Sequence, residues 1–433
     1  MPMQAEQNRK GFLWGLIMLV SGTMCTIITK VQYGMRAEGT ETCVVNGTES
    51  NMCLFDKPWF GVLQMKLAMA FCIVVLMIRQ KVQKRSYLET PVMNMQKHGK
   101  KFMSTPKASR GSASNERTPI VASSSAPKST SWETILWILF PSFLDLLTTV
   151  LANVGLLWVS SSIYQMSRGS VVLFNAIFSV RFMGKKLFAY HYVSIFVVMT
   201  AVAIVAYAGI MQSNSATKLS VEDQEKQANQ VLGLSLIFAS QLITAIQIVV
   251  EEWFLTARQV SPLTLVGWEG IWGLVFFVVL TPLLMATPPG TTALSKIWHE
   301  DFVDTFVKMS NSFAVSMLVL LYIILIGLFN LAANFVTKYL SSVVRSILDT
   351  LRTLGVWVLS LFIFYVVRWT GANSPGEPWT VWSWLELAGF ALMVAGTLAY
   401  KKILHLPLKS LYEAEEKAAS AAFVKSPFMS NMH

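Results

Sequence analysis

The feature that most limits how this chain can fold is a spacing. Ten runs of apolar residues recur along it, near 11–33, 59–79, 133–158, 162–181, 188–211, 231–254, 263–286, 313–337, 342–367 and 382–403. A bilayer core about 30 Å thick is crossed by about 20 apolar residues of helix, so each run is long enough to span. In lipid the backbone satisfies its own polar groups only as helix or as closed barrel, and runs of this length read as helices. The fold class expected is therefore an all-α membrane protein with about ten transmembrane helices. Only 14% of the residues are charged, against about 25% in soluble domains, which leaves no room for a large soluble domain beside the spans. The first run lacks a small-residue cleavage site and reads as a retained anchor rather than a signal peptide.

A formal net charge of +11 would suit a nucleic-acid partner, but no basic face interleaved with aromatics accompanies it, so no nucleic acid is expected. The basic residues lie between the apolar runs. Threading ten spans puts Arg9, Lys10, the Lys/Arg-rich segment 80–131, Arg181, Lys185, Lys186, Arg258, Lys338, Lys401 and Lys402 on one side. Glu38, Glu41, Glu49, Glu222, Asp223, Glu225, Glu300, Asp301 and Asp304 fall on the other. By the positive-inside rule the basic side is cytosolic, and with it both termini. Segment 80–131 is also rich in Ser, Thr and Pro and is expected to be disordered.

The loop 34–58 then faces a lumen or the exterior. It holds Cys43 and Cys53 around Asn46-Gly47-Thr48, a glycosylation sequon. The two thiols either stand apart or form a disulfide, and the oxidising compartment that the sequon implies favours the bond. Cys25 and Cys72 lie inside apolar runs and read as inert core residues.

Leu151-Ala152-Asn153-Val154 through Ser160-Ser161 aligns without a gap on Ala332-Ala333-Asn334-Phe335 through Ser341-Ser342. The match runs on through the fourth and ninth spans. Both segments require tight helical hairpins, at Ser160-Ser161 and around Lys338 to Ser342. A repeat of five spans is odd, so the two halves should sit upside down relative to each other, a common transporter design. The organisation expected is a cytosolic N-terminus (1–10), a first five-helix repeat (11–211), a lumenal linker (212–230), a second repeat (231–403) and a cytosolic tail (404–433).

A charge at a helix centre costs about 2.5–3.5 kcal/mol on insertion scales, so polar residues inside the spans face each other or a cavity. The ninth span holds Arg345, Asp349 and Arg352, whose spacing of four and three puts them on one stripe. Asp349 can neutralise only one of those arginines, so a carboxylate elsewhere or an anionic solute must answer the other. The fourth span carries Gln165, Arg168, Asn175 and Ser179, and Arg168 occupies the repeat position of Asp349. Asp145, Thr149 and Asn153 follow at four-residue steps in the third span. Further members are Gln241, Gln247, Glu251 and Glu252 in the sixth, Glu269 in the seventh, Asn330 and Asn334 in the eighth, and Lys66 in the second. Each alone could be an interhelical tie. Together they read as a central wet cavity. The five His residues show no ligand spacing, and no nucleophile–base pair appears, so neither metal, cofactor nor enzymatic activity is expected.

Several of these segments resemble a known family. They are Ser161-Ser162-Ile163-Tyr164-Gln165-Met166-Ser167-Arg168-Gly169, Phe178-Ser179-Val180, Gly184-Lys185-Lys186-Leu187, Ala245-Ile246-Gln247 with Glu251-Glu252, Pro262-Leu263 with Val266-Gly267 and Glu269-Gly270, Val336-Thr337-Lys338, and Asp349-Thr350-Leu351-Arg352-Thr353. In order and spacing they resemble the drug/metabolite transporter superfamily with its EamA-like repeats, and within it the F subgroup of solute carrier family 35. The wider resemblance is to chloroquine-resistance-type and nucleotide-sugar transporters. A Gly-Ala-Leu-Asn-Lys motif of the kind seen in some nucleotide-sugar carriers is absent from the ninth span. Lys66 stands where the resemblance implies an acidic residue, and the basic insertion is long.

The expected function is transport of a small solute by alternating access. The cavity would be lined by Asp145, Asn153, Gln165, Arg168, Asn175, Gln247, Asn334, Arg345, Asp349 and Arg352, with Asp145, Glu251 or Glu269 as a coupling-proton site. The excess of cationic side chains leans towards an organic anion or zwitterion, with an amine as the alternative. A second class is a non-transporting receptor or scaffold that binds cytosolic partners through 80–131. The lumenal sequon points to an endomembrane (lysosome, vacuole or Golgi), with the plasma membrane still open.

Overall fold

The computed structural model describes residues 2–45, 48–55, 57–89, 131–156, 168–185, 187–216, 223–287, 299–368, 376, 378–400, 402–404, 410–411 and 413. Helix α1 (Pro2–Gly34) leads into an antiparallel hairpin of β1 (Arg36–Val45) and β2 (Thr48–Leu54), followed by α2 (Pro58–Glu89). Next come α3 (Trp132–Trp137) and α4 (Leu139–Leu156), separated at Ile138. A 3₁₀ turn, Arg168–Ser170, opens α5 (Val171–Met183), which Gly184 closes at φ 61°, a left-handed cap that glycine adopts without a Cβ penalty. The remaining helices are α6 (Ala189–Ala216), α7 (Asp223–Thr256), α8 (Pro262–Ala286), α9 (Phe302–Asn311), α10 (Phe313–Tyr339), α11 (Ser342–Phe362) and α12 (Ser383–Tyr400).

Among the described residues, eight helical stretches are long and apolar enough to cross a membrane: in α1, α2, α3–α4 together, α7, α8, α10, α11 and α12. The fourth and fifth expected spans correspond to α5, of 13 residues, and α6, whose described apolar stretch is Ala189–Val205. The tight turn expected between the eighth and ninth spans is present, with α10 ending at Tyr339 and α11 starting at Ser342. Its counterpart at Ser160-Ser161 lies outside the described residues, as do Asn46 and residues 90–130 of the basic segment. Helix α2 continues to Glu89, past the end expected near 79.

The helices pack in a definite set of pairs. Helix α1 lies along α10 and α11, and α7 along α4 and α5. Helix α2 lies along α8 and α10, α8 also meets α4, α5 meets α11, and α6 meets α12. One apolar core joins α5, α6, α11 and α12 through residues such as Val172, Val198, Ala201, Ile347, Phe390 and Met393. Large apolar side chains such as Phe12, Phe71, Val278 and Ile324 point outwards, as a lipid-facing surface requires. The α2–α8 approach is close enough that a Cβ on Gly270 would strike the backbone nitrogen of Ala70 and come within 2.6 Å of the Met69 carbonyl carbon.

The hairpin forms a cap, closed by the Cys43–Cys53 disulfide. It docks on α9, an amphipathic helix in a segment that reads as a loop from sequence. Asp301 caps α9 by accepting from the backbone N–H groups of Val303 and Asp304, at 2.8 and 3.2 Å. Asp304, fully buried, accepts from the N–H groups of Thr40 (2.7 Å) and Glu41 (3.0 Å). It also pairs with Lys57 (3.1 Å) and Lys308 (2.7 Å). Burial alone would push the Asp304 carboxyl up, but Lys308, the Glu41 backbone N–H and Lys57 outweigh it and hold it well below the usual carboxylate range. Lys57, which burial would lower, is held up by Glu41 and Asp304.

A carboxylate lowered on folding stabilises at every pH above its ordinary value of 3.8 and loses that effect only as pH falls through the lower folded value. The Lys57 contribution, raised on folding, is complete below its ordinary 10.5. The cap should therefore hold equally at about pH 7 and about pH 5. Hydrogen exchange over 36–54 is expected to show equal protection at both once corrected for intrinsic rates. Asp304→Asn should expose the hairpin at either pH, because stripping one partner from a buried ion network costs about 3–5 kcal/mol. Gly270→Ala should lower the melting temperature in detergent, since forcing a methyl into a packed contact costs about 1–3 kcal/mol.

Candidate functional site

Five helices bring polar side chains to one locality. Lys66 on α2 is completely buried, its aliphatic stem lying across Gly273 of α8, where a Cβ would come within 2.8 Å of Cε. Its ammonium contacts the Asp145 carboxylate on α4 directly. Gln247 on α7 donates to Asp145 Oδ1 at 3.3 Å and, one turn along its own helix, to Glu251 Oε1 at 2.7 Å. The other Glu251 oxygen holds the Arg345 guanidinium of α11. A chain of contacts thus runs Lys66, Asp145, Gln247, Glu251, Arg345. Glu269 of α8 lies among these charges, 1% exposed. Ser142 of α4 donates to its backbone carbonyl at 2.8 Å, which fixes α8 against α4.

A second group lies further along α11. Arg168, in the 3₁₀ turn before α5, reaches Asp349 at 3.1 Å. Arg352, one turn further on, meets the same carboxylate at 3.5 Å, and its guanidinium sits 5.0 Å over the Phe329 ring. Two guanidiniums therefore share one aspartate. This group is more open than the first: the Arg168 and Asp349 side chains remain 32% and 21% exposed. Arg345, Asp349 and Arg352 form one stripe, so a single helix carries part of both groups.

A polar tie holds α5 to α11 beside them. The Asn175 amide donates to the Ser342 carbonyl at 2.8 Å and to the Ser346 hydroxyl, while its oxygen accepts from Ser179 at 3.3 Å. Ser179 and Ser342 share a hydrogen bond of 3.0 Å. Asn175 is wholly buried and its polar atoms are all engaged, which makes it a helix tie in this state. Asn334 is buried on α10 and donates to the Asn330 carbonyl at 3.3 Å. Gln165 and the Asn153 side chain lie outside the described residues.

The structure brings Asp145, Gln247, Glu251, Glu269 and Arg345 into one group and Arg168, Asp349 and Arg352 into another. The carboxylate that the unmatched arginine of the ninth span required is Glu251. Sequence reasoning noted Lys66 without giving it a partner and missed the contribution of Ser346. The signal for Ser346 was there: Ser342 and Ser346 repeat at four residues, as Asn175 and Ser179 do. The contact of Lys185 with Glu252, at the far end of α7, was not foreseen either.

Over 274 residues, 63% of this chain and 68% of the relative, the chain is 32% identical to solute carrier family 35 member F6 of Homo sapiens. The Pongo abelii member F6 matches to the same extent, 32% over 274 residues. An uncharacterized protein of Schizosaccharomyces pombe is 29% identical over 273 residues, 63% of this chain and 76% of that one. No family model matches the chain.

Lys66→Met should strip the Asp145 carboxyl of its ion-pair partner and destabilise the protein by about 3–5 kcal/mol. The double variant Lys66→Met/Asp145→Leu should recover most of that loss. Unfolding in detergent, run as a double-mutant cycle, reads the coupling.

Proposed function

We propose that this chain, which belongs to solute carrier family 35, carries a small organic anion or zwitterion by alternating access between two inverted five-helix units. Its solute-carrier relatives support transport over enzymatic activity. The observation that carries the charge assignment is the Arg168–Asp349–Arg352 group. Two guanidiniums share one carboxylate there, and the group keeps partial exposure in a chain of membrane-spanning helices. A carboxylate or phosphate of a solute is the complementary ligand, because guanidinium pairs such groups through two parallel N–H donors.

The helix packing supports the repeat. Numbering the expected spans in order, the α1–α10 contact joins the first to the eighth and the α4–α7 contact the third to the sixth. Shifting every span by five exchanges these two contacts. The same shift turns α1–α11 into α7–α5 and α2–α10 into α8–α4, and it returns α2–α8, α5–α11 and α6–α12 to themselves. A pseudo-twofold relation gives this pattern. The Cys43–Cys53 cap then faces an oxidising lumen, both termini are cytosolic, and the protein resides in an endomembrane.

The test is a thermal-shift screen of the purified full chain against nucleotide sugars, organic acids, amino acids and amines. A ligand at 100 times its Kd stabilises by about 2.7 kcal/mol. An anionic or zwitterionic compound is expected to raise the wild-type melting temperature, and Arg168→Ala should abolish that shift while the apo protein still purifies as a monodisperse peak. Stabilisation by amines alone, unchanged in Arg168→Ala, would overturn the charge assignment.

A further inference from the structure

The first charged group does not balance. Lys66 is matched by Asp145 and Arg345 by Glu251, so each cation has one carboxylate. Glu269 is a third carboxylate in the same place. Among the described residues no ion pair or hydrogen-bond donor reaches its side chain, and its buried Oε1 has no partner. The groups acting on it come from every element around it: Lys66 from α2, Asp145 from α4, Glu251 from α7 and Arg345 from α11. Helix α10 also packs against α8, and its one charged residue, Lys338, is at its far end. The two cations are already committed. An ionised Glu269 would face two other carboxylates with no donor of its own, an arrangement a buried carboxylate does not tolerate.

The neutral acid fits the same space at no such cost. Asp145 is the more open member of the group at 19% exposure, and Gln247 links it to Glu251 beside Glu269. Resting on the carrier reading given above, we propose that Glu269 is the proton-binding group that couples this carrier to a pH gradient, loaded in the state seen here and emptied in another. The charge count of the whole centre gives this proton a consequence. Four cations (Lys66, Arg168, Arg345 and Arg352) face four carboxylates (Asp145, Glu251, Glu269 and Asp349). Loading Glu269 makes this centre one charge more positive, which favours a solute one charge more negative.

The proton can be read without knowing the solute. Infrared spectra of the full chain in lipid vesicles at neutral pH should show the carbonyl stretch of a protonated carboxylic acid. That band should shift with carbon-13 glutamate labelling, vanish in Glu269→Gln, and titrate away reversibly as pH rises. A wild-type protein without the band overturns the proposal, and so does a band that persists in Glu269→Gln. A band that no pH within the stable range removes also overturns it, because a permanently protonated acid cannot couple. If Glu269→Gln fails to fold, the labelled wild-type titration decides alone. The carrier reading fails separately: a screen in which no solute is bound or moved sinks transport and leaves the infrared result standing.

Discussion

Ionisable groups in a low-dielectric interior have to be paired or neutral, and that requirement sets how these helices meet. Lys66 illustrates it. The residue is fully buried on a helix that otherwise reads as an ordinary lipid-spanning segment. An unpaired ammonium there would cost several kcal/mol even after relaxation. Asp145 has to lie within contact distance, so α2 and α4 are brought to the same locality, and α8 has to let the lysine stem pass. Gly273 supplies that passage, and Gly270, one turn earlier, allows the backbones to close. Small residues therefore do more here than bring helices together. They open the path along which one charge reaches another.

The same requirement divides the molecule into a rigid end and an adaptable centre. At the hairpin end, Asp304 is shared by two lysines and two backbone N–H groups, and the disulfide closes the strands above it. Asp304, Lys57 and Lys308 there are each answered more than once. In the centre the account is thinner: two arginines meet the same aspartate, and among the described residues no donor reaches the Glu269 side chain. A conformational change redistributes contacts most cheaply where the balance is close, and α11 touches both central groups. Moving α11 would alter the Arg345–Glu251 and Arg168–Asp349 pairings together.

Much of this was legible in the sequence, for identifiable reasons. Apolar run length gave the helices, because lipid leaves the backbone few alternatives. Arg168 and Asp349 match in the sequence alignment of the two segments, and their side chains lie 3.1 Å apart. The Cys43–Cys53 bond followed from compartment logic. What stayed hidden depended on contacts between distant segments. Nothing local in Glu251 says that Arg345, 94 residues away, is its partner. Nothing in Glu269 says that its neighbours are already spoken for. Helix α9 was missed because its stabilising partners are the hairpin strands, and a ten-residue helix carries too short a pattern to stand out. Asn175, read as cavity lining, has its polar atoms engaged between α5 and α11.

Under the proposed repeat, the charged centre is where the two halves diverge. Several uncharged polar positions are alike in the two aligned segments, as Asn153 with Asn334 and Ser161 with Ser342 are. The charged positions are not: Arg168 matches Asp349, and Asp145 matches the apolar Ile326. Under the proposed inverted relation, matched helices meet near the pseudo-axis, so identical charges at matched positions would repel. Two unit charges 4 Å apart interact by about 4 kcal/mol at an effective dielectric near 20. Exchanging a like pair for an opposite one therefore changes the energy by roughly twice that. On the proposed carrier reading, symmetry in the framework with asymmetry in the charges would let the two halves hold together at the site and still differ enough to favour one charge of solute.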